Sequence, residues 1–229
     1  MVIDQGSSVC RMGFVKNNGP RYIYPSIIGR PLFKKVLPNP PHPGEYIGDD
    51  AQANRGFLDI SYPIQRGIVT NWEDMEKYWE FVLRGPLAPG DFPVLLNEPP
   101  LNPISNGEKK LEVLFERFHF SECYLALEGL MGAYGSSRDT ATVLNIGDGL
   151  THISSFYEGI YSVRGTSRRD FGGKDITASL GTMLNERGHQ FSSSSDLEIL
   201  KEIKEKLSYI AEDFEAELLK FQWDNLQQP

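Results

Sequence analysis

The sequence predicts an α/β fold, and two observations support this prediction. Short apolar runs typical of strands alternate with segments in which apolar residues recur every three or four positions, as in amphipathic helices. In addition, two distant segments each combine a short strand, a glycine-containing turn and a second strand-like run, at residues 2–14 and 143–152. This repeat indicates that two parts of the protein are built on the same hairpin.

The elements follow one another in a mixed order. Strands are predicted where β-branched and aromatic residues cluster, and helices where the apolar period is close to 3.6 residues. Strand-like runs occur at residues 2–3, 9–14, 22–24, 94–96, 123–127, 143–144 and 152–157, and helical patterns occur at residues 72–84, 107–117 and 196–220. Strands interleaved with helices in this way are typical of α/β proteins.

The segment between Leu32 and Glu45 is predicted to be an exposed loop. It contains four prolines, at positions 38, 40, 41 and 43. Proline lacks a backbone N–H and disfavours helix in the residue before it, so the segment is expected to be extended or turn-rich.

The last helix has the strongest signals in the chain. The run Ser195-Asp-Leu-Glu198 has the pattern of a capping box, in which the serine and glutamate side chains satisfy free backbone N–H groups. Apolar residues then recur at helical spacing, at Leu200, Ile203, Leu207, Ile210, Phe214 and Leu218. We therefore predict one continuous helix over residues 196–220.

Composition excludes several classes of protein. A chain of 229 residues with 40% hydrophobic content can bury a large core, as one large domain or two small ones. The net charge of −8 argues against nucleic acid and anionic membranes as partners, since both require clustered lysine and arginine. Cys10 and Cys123 match neither a disulfide nor a zinc pattern, and no signal peptide or membrane span is evident. These features predict a protein of the cytosol or nucleus.

The two glycine turns allow two interpretations. A single glycine turn between strands is usually an ordinary hairpin, in which glycine supplies a positive φ angle. Two such turns flanked by Asp, Ser or Asn instead suggest a nucleotide held between duplicated halves. Backbone N–H groups can converge on phosphate oxygens there, and nearby carboxylates can hold a hydrated Mg²⁺.

Several long runs of residues match one known protein family. The matching runs include Tyr24-Pro-Ser-Ile-Ile-Gly-Arg-Pro31, Gly67-Ile-Val-Thr-Asn-Trp-Glu-Asp-Met-Glu-Lys77 and Glu202-Ile-Lys-Glu-Lys-Leu207, together with residues 19–21, 46–52, 55–56, 62–64, 93–96 and 100–103. They occur in order from residue 2 to about residue 218, and only residues 220–229 lack a counterpart. The chain resembles the first part of an actin or actin-related protein.

The resemblance implies the actin-like ATPase superfold, an α/β fold with two lobes, a duplicated sheet and a nucleotide cleft. Residues 1–135 would form most of the first lobe, with residues 26–62 as its small outer subdomain. Residues 136–229 would begin a second lobe that is incomplete in this chain. The short length is compatible with a splice form or with a fragment. In actins the segment matching the proline-rich loop docks into the next filament subunit.

The resemblance also implies site residues for ATP or ADP with Mg²⁺, and we expect binding to be weak if it occurs, because the chain that covers one face of the adenosine in the family is not present. Asp4 and Asp148 would act on the metal through water, and Arg11 would replace the family's phosphate-binding lysine. Ser8 replaces a customary glycine, so its side chain crowds the phosphate position. Asp175 belongs to the motif that follows the second loop. The implied nucleotide-binding residues are Asp4, Gly6, Ser7, Ser8, Arg11, Gly147, Asp148, Gly149, Gly173, Lys204 and Glu205.

The hydrolytic positions depart from the family pattern. Glu128 stands where actins use the glutamine that positions the attacking water, and Asn145 replaces a second acidic residue, while His152 is retained. An added carboxylate near the γ-phosphate opposes a reaction that depends on neutralising phosphate charge. We therefore expect weak or absent hydrolysis, although Glu128 could alternatively serve as a general base.

Three function hypotheses follow. The first is an actin-like cytoskeletal or assembly protein that binds Mg-ATP and acts through protein–protein contacts, with actin, actin-binding proteins or a multiprotein complex as partners. It would be found in the cytoplasm with the cytoskeleton, or in the nucleus. The second is a nucleotide-free interaction fragment that regulates a full-length actin. The third, with less support, is an enzyme of the same superfold such as a sugar kinase, because fold alone does not determine function.

Overall fold

A computed structural model of the chain describes residues 1–16, 18–32, 44–83 and 92–226. Its strands are β1 Val2–Gln5, β2 Val9–Gly13, β3 Tyr22–Pro25, β4 Ile28–Pro31, β5 Tyr46–Ile47, β6 Leu58–Ser61, β7 Ile64–Gln65, β8 Ile68–Val69, β9 Val94–Glu98, β10 Cys123–Leu127, β11 Ala141–Ile146, β12 Thr151–Tyr157 and β13 Ile160–Arg169. Its α-helices are α1 Asp49–Ala53, α2 Trp72–Val82, α3 Ile104–Glu112, α4 Glu128–Gly135, α5 Gly173–Glu186, α6 Ser194–Leu207 and α7 Phe214–Leu226, with a short 3₁₀ helix at Arg55–Phe57.

The largest sheet has five strands in the order β10-β9-β1-β2-β3. Strands β1, β2 and β3 are antiparallel neighbours, whereas β9 and β10 run parallel to β1. Side chains from β1, β2 and helix α2 form the main core, in which Ile3, Cys10, Met75, Tyr78 and Trp79 are completely buried. This core anchors the first hairpin.

A small antiparallel sheet, in the order β5-β4-β6, has its own apolar cluster. The buried residues of this cluster are Ile27, Tyr46, Ala51, Leu58 and Ile60. The proline-rich segment predicted to be a loop connects β4 to β5, and its residues 33–43 lie outside the described part of the chain.

The third sheet is antiparallel, in the order β11-β12-β13. Helix α4 packs against one face, where the Cβ of any residue replacing Gly129 would lie 3.1 Å from both Ser154 Cβ and the Phe156 ring. The opposite face is open, and Leu144 and Ile146 are exposed on it. This sheet therefore has one covered face and one apolar face in contact with solvent.

Most predicted strands are confirmed, but the predicted helix over residues 196–220 is wrong. The chain leaves the helix at Ser208, and a second helix begins after Asp213, whose carboxylate accepts a 3.0 Å hydrogen bond from the Ala216 N–H. The capping box also lies two residues earlier than predicted, between Ser193 and Asp196. The apolar spacing continues across the break and so does not reveal it.

Other differences concern elements that lack a strong period. Strand β13 and helices α4 and α5 were not predicted, because their sequences are rich in glycine, serine and threonine. The helix predicted over residues 107–117 begins earlier, at Ile104, and its last part, Val113–Arg117, is π-helical. Helix α2 ends at Val82, and Arg84, predicted to end it, lies outside the described residues.

Candidate functional site

The two glycine turns have the same backbone geometry. In the first, Gly6 N donates to Val9 O at 3.0 Å, and in the second, Gly147 N donates to Leu150 O at 2.9 Å. The strand registers match as well, because Gln5 pairs with Cys10 and Ile146 pairs with Thr151. Each hairpin thus closes with a four-residue turn, and every residue of the first corresponds to the residue 141 positions later.

The two turns come into direct contact. A Cβ atom at Gly149 would lie 2.5 Å from Ser7 Oγ and 3.2 Å from Arg66 N. Ser7 Oγ also accepts a hydrogen bond of 3.1 Å from Gly67 N. A side chain at position 149 would therefore push the turns apart. Steric crowding explains why a glycine occupies this position.

A cavity of about 640 Å³ lies between the turns. All the residues predicted to bind nucleotide or metal line it, together with two of the three hydrolytic residues. They are Asp4, Gly6, Ser7, Ser8, Arg11, Glu128, Asn145, Gly147, Asp148, Gly149, Gly173, Lys204 and Glu205. His152 is the exception, because it is buried behind the cavity wall.

Asp4 is held by two neighbours. Asn97 Nδ2 donates to one carboxylate oxygen at 2.7 Å, and Arg11 Nη1 donates to the other at 3.3 Å. Asn97 Oδ1 in turn accepts from Gln5 N at 2.7 Å, which orients the amide. The predicted metal-side carboxylate and the predicted phosphate cation are thus paired with each other in this structure.

The start of helix α5 is hydrogen-bonded to the second turn. Gly173 N donates to Gly147 O at 3.0 Å, and Lys174 N donates to Asp148 O at 2.9 Å. A Cβ atom at Gly172 would lie 2.5 Å from Asp148 O, so only glycine permits this approach. Lys204 Nζ donates to Gly173 O at 2.9 Å and ties helix α6 to the same point.

Arg66 supports the site through the second turn, and the sequence prediction missed it. Its guanidinium contacts both carboxylate oxygens of Asp175, at 2.5 and 2.6 Å, and also donates to Gly149 O at 2.9 Å. The Arg66 hydrogen bond lowers the pKa of Asp175 to about 2. Arg66 has a φ of 53°, and it lies in the turn between β7 and β8. No signal in the sequence connects this turn with the Gly149 loop.

Lys201 was missed as well. Its Nζ donates to Ser8 Oγ at 2.6 Å, which joins helix α6 to the first turn. Helical spacing could have found it, because Lys201 precedes Lys204 and Glu205 by three and four residues and so shares their face of the helix.

Glu128 occupies a partly buried position at the start of α4. Burial raises its pKa above the ordinary value, and the Asp4 charge adds to this effect, whereas Asn145, Arg11 and Lys110 oppose it. A carboxylate in such a setting holds a proton more readily than one in water.

His152 lies behind Glu128. Its Nε2 is 4.0 Å from Glu128 Oε2, and neither ring nitrogen has a hydrogen-bond partner among the described residues. Burial, followed by the Arg168 charge, lowers the pKa of His152, so the ring is neutral at pH 7.

The donor set suits a metal held mainly by phosphate and water. No cluster of three or more His, Cys, Asp or Glu side chains arranged to hold a metal occurs among residues 1–16, 18–32, 44–83 and 92–226. Mg²⁺ commonly uses one or two carboxylates together with waters and substrate phosphates. The carboxylates of Asp4 and Asp148, both on the cavity wall, fit that pattern.

Fold and site together define an α/β protein in which duplicated glycine turns face one another across a cavity. A family model described as Actin matches residues 1–228. The chain therefore belongs to the actin family and has an actin-like α/β fold. Domains of this family generally bind ATP or ADP with Mg²⁺, and membership implies protein partners in general. None of the helices in the described ranges has the length and apolar character needed to cross a membrane.

Proposed function

We propose that this chain is an actin-like cytoskeletal or assembly protein that binds Mg-ATP or Mg-ADP between its two turns and acts mainly through protein–protein contacts. The observation that carries the proposal is the convergence of both glycine turns on one cavity, with Gly149 directly against Ser7. We propose further that the lobes divide near residue 135, with residues 26–62 as an outer subdomain.

The chain's own groups suit a nucleotide phosphate. Backbone N–H groups at glycine turns favour anions, and the Ser7 hydroxyl can donate to a phosphate oxygen. Arg11, Lys201 and Lys204 bring three cations to the wall of the cavity. Asp4 and Asp148 would orient water on a bound Mg²⁺, which neutralises charge on the phosphates when present.

We propose that hydrolysis is weak or absent. The Glu128 carboxylate adds negative charge where phosphate oxygens would lie, and Asn145 supplies no charge to attract the metal. His152 is neutral and is positioned behind Glu128, at 4.0 Å. A group that holds water for attack needs a fixed partner, and neither ring nitrogen of His152 has one among the described residues. Glu128 as a general base is the competing possibility.

Partners and location belong to the same proposal. We propose actin, actin-binding proteins or a multiprotein complex as partners, and the cytoplasm with the cytoskeleton, or the nucleus, as the location. The open apolar face of the third sheet supports a role in association, because contiguous exposed apolar surface favours protein contacts.

One observation favours the nucleotide-free alternative. The cations of the cavity already have partners within the protein, since Arg11 contacts Asp4, Lys201 contacts Ser8 and Lys204 contacts Gly173. A nucleotide would have to replace these contacts. The sugar-kinase alternative gains no such support, because the chain belongs to the actin family.

Native mass spectrometry with added Mg-ADP tests the proposal, and calorimetry gives the affinity. We expect one nucleotide per chain, and we expect Lys204→Met to weaken its binding. Lys206→Met is the matched control, because Lys206 is exposed and its side chain contacts Glu202, outside the cavity lining. A folded protein that binds no nucleotide at millimolar concentration would establish the nucleotide-free alternative.

A further inference from the structure

Lys110 is a buried cation that the proposed chemistry does not use. It lies on helix α3, and only 4% of its surface is exposed. Its Nζ lies 3.9 Å from Glu98 Oε1, which is an ion-pair distance and longer than a hydrogen bond. Lysine is almost never fully buried unless it is paired, so this position needs an explanation.

The position of Lys110 is explained by two strand ends. Strands β9 and β10 are parallel neighbours, and Glu98 pairs in register with Leu127. Glu98 therefore ends one strand, and Glu128 directly follows the other. The sheet thus places the two acidic residues at neighbouring positions of one edge, and Glu128 lines the cavity.

Gly107 lets helix α3 approach these strand ends. A Cβ atom at Gly107 would lie 3.0 Å from Glu98 Oε1 and 3.3 Å from Leu125 Cδ1. Lys110 follows Gly107 by three residues and so lies on the same face of the helix. The helix therefore brings the Lys110 ammonium to Glu98, at the sheet edge where Glu128 begins the next helix.

The charges support this arrangement. Burial lowers the pKa of Lys110, while the charges of Glu98 and Glu128 oppose that effect. Glu98 also accepts a hydrogen bond of 2.7 Å from Asn102 Nδ2, which holds its carboxylate in place. Removing the single ammonium would leave the carboxylates without a compensating charge, which is costly.

We propose that Lys110 is a positioning residue of the nucleotide cavity, where its ammonium is the internal counter-ion that allows a carboxylate at Glu128 to coexist with bound phosphate. The inference rests on the proposed function for its effect on binding. The role of Lys110 therefore depends on the residue at position 128. With glutamine at that position there is no Glu128 charge for the ammonium to compensate.

A double-mutant cycle tests this dependence. We would compare the wild type, Lys110→Met, Glu128→Gln and the combined variant, and measure the affinity for a non-hydrolysable Mg-ATP analogue by calorimetry and unfolding by urea in the absence of nucleotide. We expect Lys110→Met alone to weaken binding of the analogue roughly tenfold, which is a readily measured difference. We expect the combined variant to bind within about twofold of Glu128→Gln, because the charge to be compensated is gone.

Two control variants sharpen the cycle. Lys109→Met removes the neighbouring lysine, whose contact is with the exposed Glu112, and should leave the affinity for the Mg-ATP analogue unchanged. Lys110→Arg keeps the charge and should retain most of the affinity. If Lys110→Met does not fold, Glu128→Gln should restore folding, and its failure to do so would contradict the proposal.

The cycle separates this inference from the proposed function. If no variant binds nucleotide, the proposed function fails, but the inference still requires Lys110→Met to destabilise the wild-type protein more than it destabilises the Glu128→Gln variant. Equal losses of affinity and of stability in both backgrounds would show that Lys110 acts only as a structural residue, and would overturn the inference.

Discussion

The two hairpins are alike in backbone and different in surroundings. Ile3 and Leu144 are equivalent positions, each in the first strand of its hairpin, yet Ile3 is completely buried and Leu144 is 58% exposed. The first hairpin lies inside a five-stranded sheet, whereas the second has a single additional strand, β13, and a cover on one face. The turn conformation is therefore determined by neighbouring residues in the chain. The contribution of each equivalent position to the stability of the protein depends instead on the side chains that pack around it.

The chemistry of the hairpins differs at a second pair of equivalent positions. In the first, Asp4 pairs in register with Arg11, and the two side chains form a partly exposed ion pair. In the second, Asn145 pairs in register with His152, which is uncharged and buried. The same backbone hairpin thus carries a charged pair in the first copy and a neutral pair in the second.

The largest expected effect is the difference in stability between alanine substitutions at the buried and the exposed position of the two hairpins. Ile3→Ala should lower the free energy of unfolding by about 2–5 kcal/mol, because it leaves a cavity in a packed core. Leu144→Ala should change it by less than about 0.5 kcal/mol, since the side chain is already in water. Urea unfolding measures both. Comparable losses would mean that the face bearing Leu144 is covered in solution.

The next effect tests the contact between the turns. Gly149→Ala should cost about 1–3 kcal/mol and weaken Mg-ADP, because the new Cβ would meet Ser7 Oγ at 2.5 Å. Ser8→Ala, at the equivalent position of the first turn, introduces the same residue but loses only the hydrogen bond from Lys201. Urea unfolding and calorimetry on the two variants should show that Gly149→Ala loses more stability and more Mg-ADP affinity than Ser8→Ala. The reverse order would contradict a close contact between the two turns.

A smaller effect concerns Arg66 and Asp175, which fasten only the second turn. Asp175→Asn should cost about 1 kcal/mol near neutral pH, because the pair is partly exposed. The pKa of Asp175, about 2, lies below its unfolded value of about 3.9, so the stabilisation is complete above that value.

The pH dependence provides the measurement. As the pH falls from about 4 towards 2, Asp175 takes up a proton and the unfolding temperatures of wild type and Asp175→Asn should converge. Asp139→Asn, at an exposed position, is the control and should follow the wild type throughout. A difference that persists unchanged at pH 2 would rule out an electrostatic origin.

The smallest expected effect is a small increase in the stability of the protein on Glu128→Gln. Because the pKa of Glu128 is raised, the folded protein binds the proton more tightly than the unfolded chain, and stability falls as pH rises through the raised pKa. Glutamine does not ionise, so the variant should be more stable at neutral pH, by no more than about 1 kcal/mol. Thermal unfolding against pH should show the two proteins converging below about pH 4, and a less stable variant at neutral pH would be the contrary result.

Much of the cavity could be anticipated from local sequence. Gly6 and Gly147 initiate turns whose geometry depends on a few adjacent residues, and the long runs in the order of the actin family indicated which fold these turns belong to. The predicted binding residues line one cavity because they lie on those two hairpins, at the start of helix α5 or on one face of helix α6. The periodic signal of helix α6 was also local, but it did not show where that helix ends, since Asp213 starts a new helix within an unbroken apolar spacing.

The sequence by itself determined the α/β class, the duplicated turns and the family. Only the tertiary structure decided that Arg66 contacts Gly149, that Lys201 contacts Ser8 and that the buried Lys110 lies next to Glu98. These contacts join residues far apart in the chain, and their strength depends on burial and on distances of a few ångströms. Sequence patterns report the preferences of neighbouring residues, whereas the value of a charge or a side chain depends on the groups that folding brings around it.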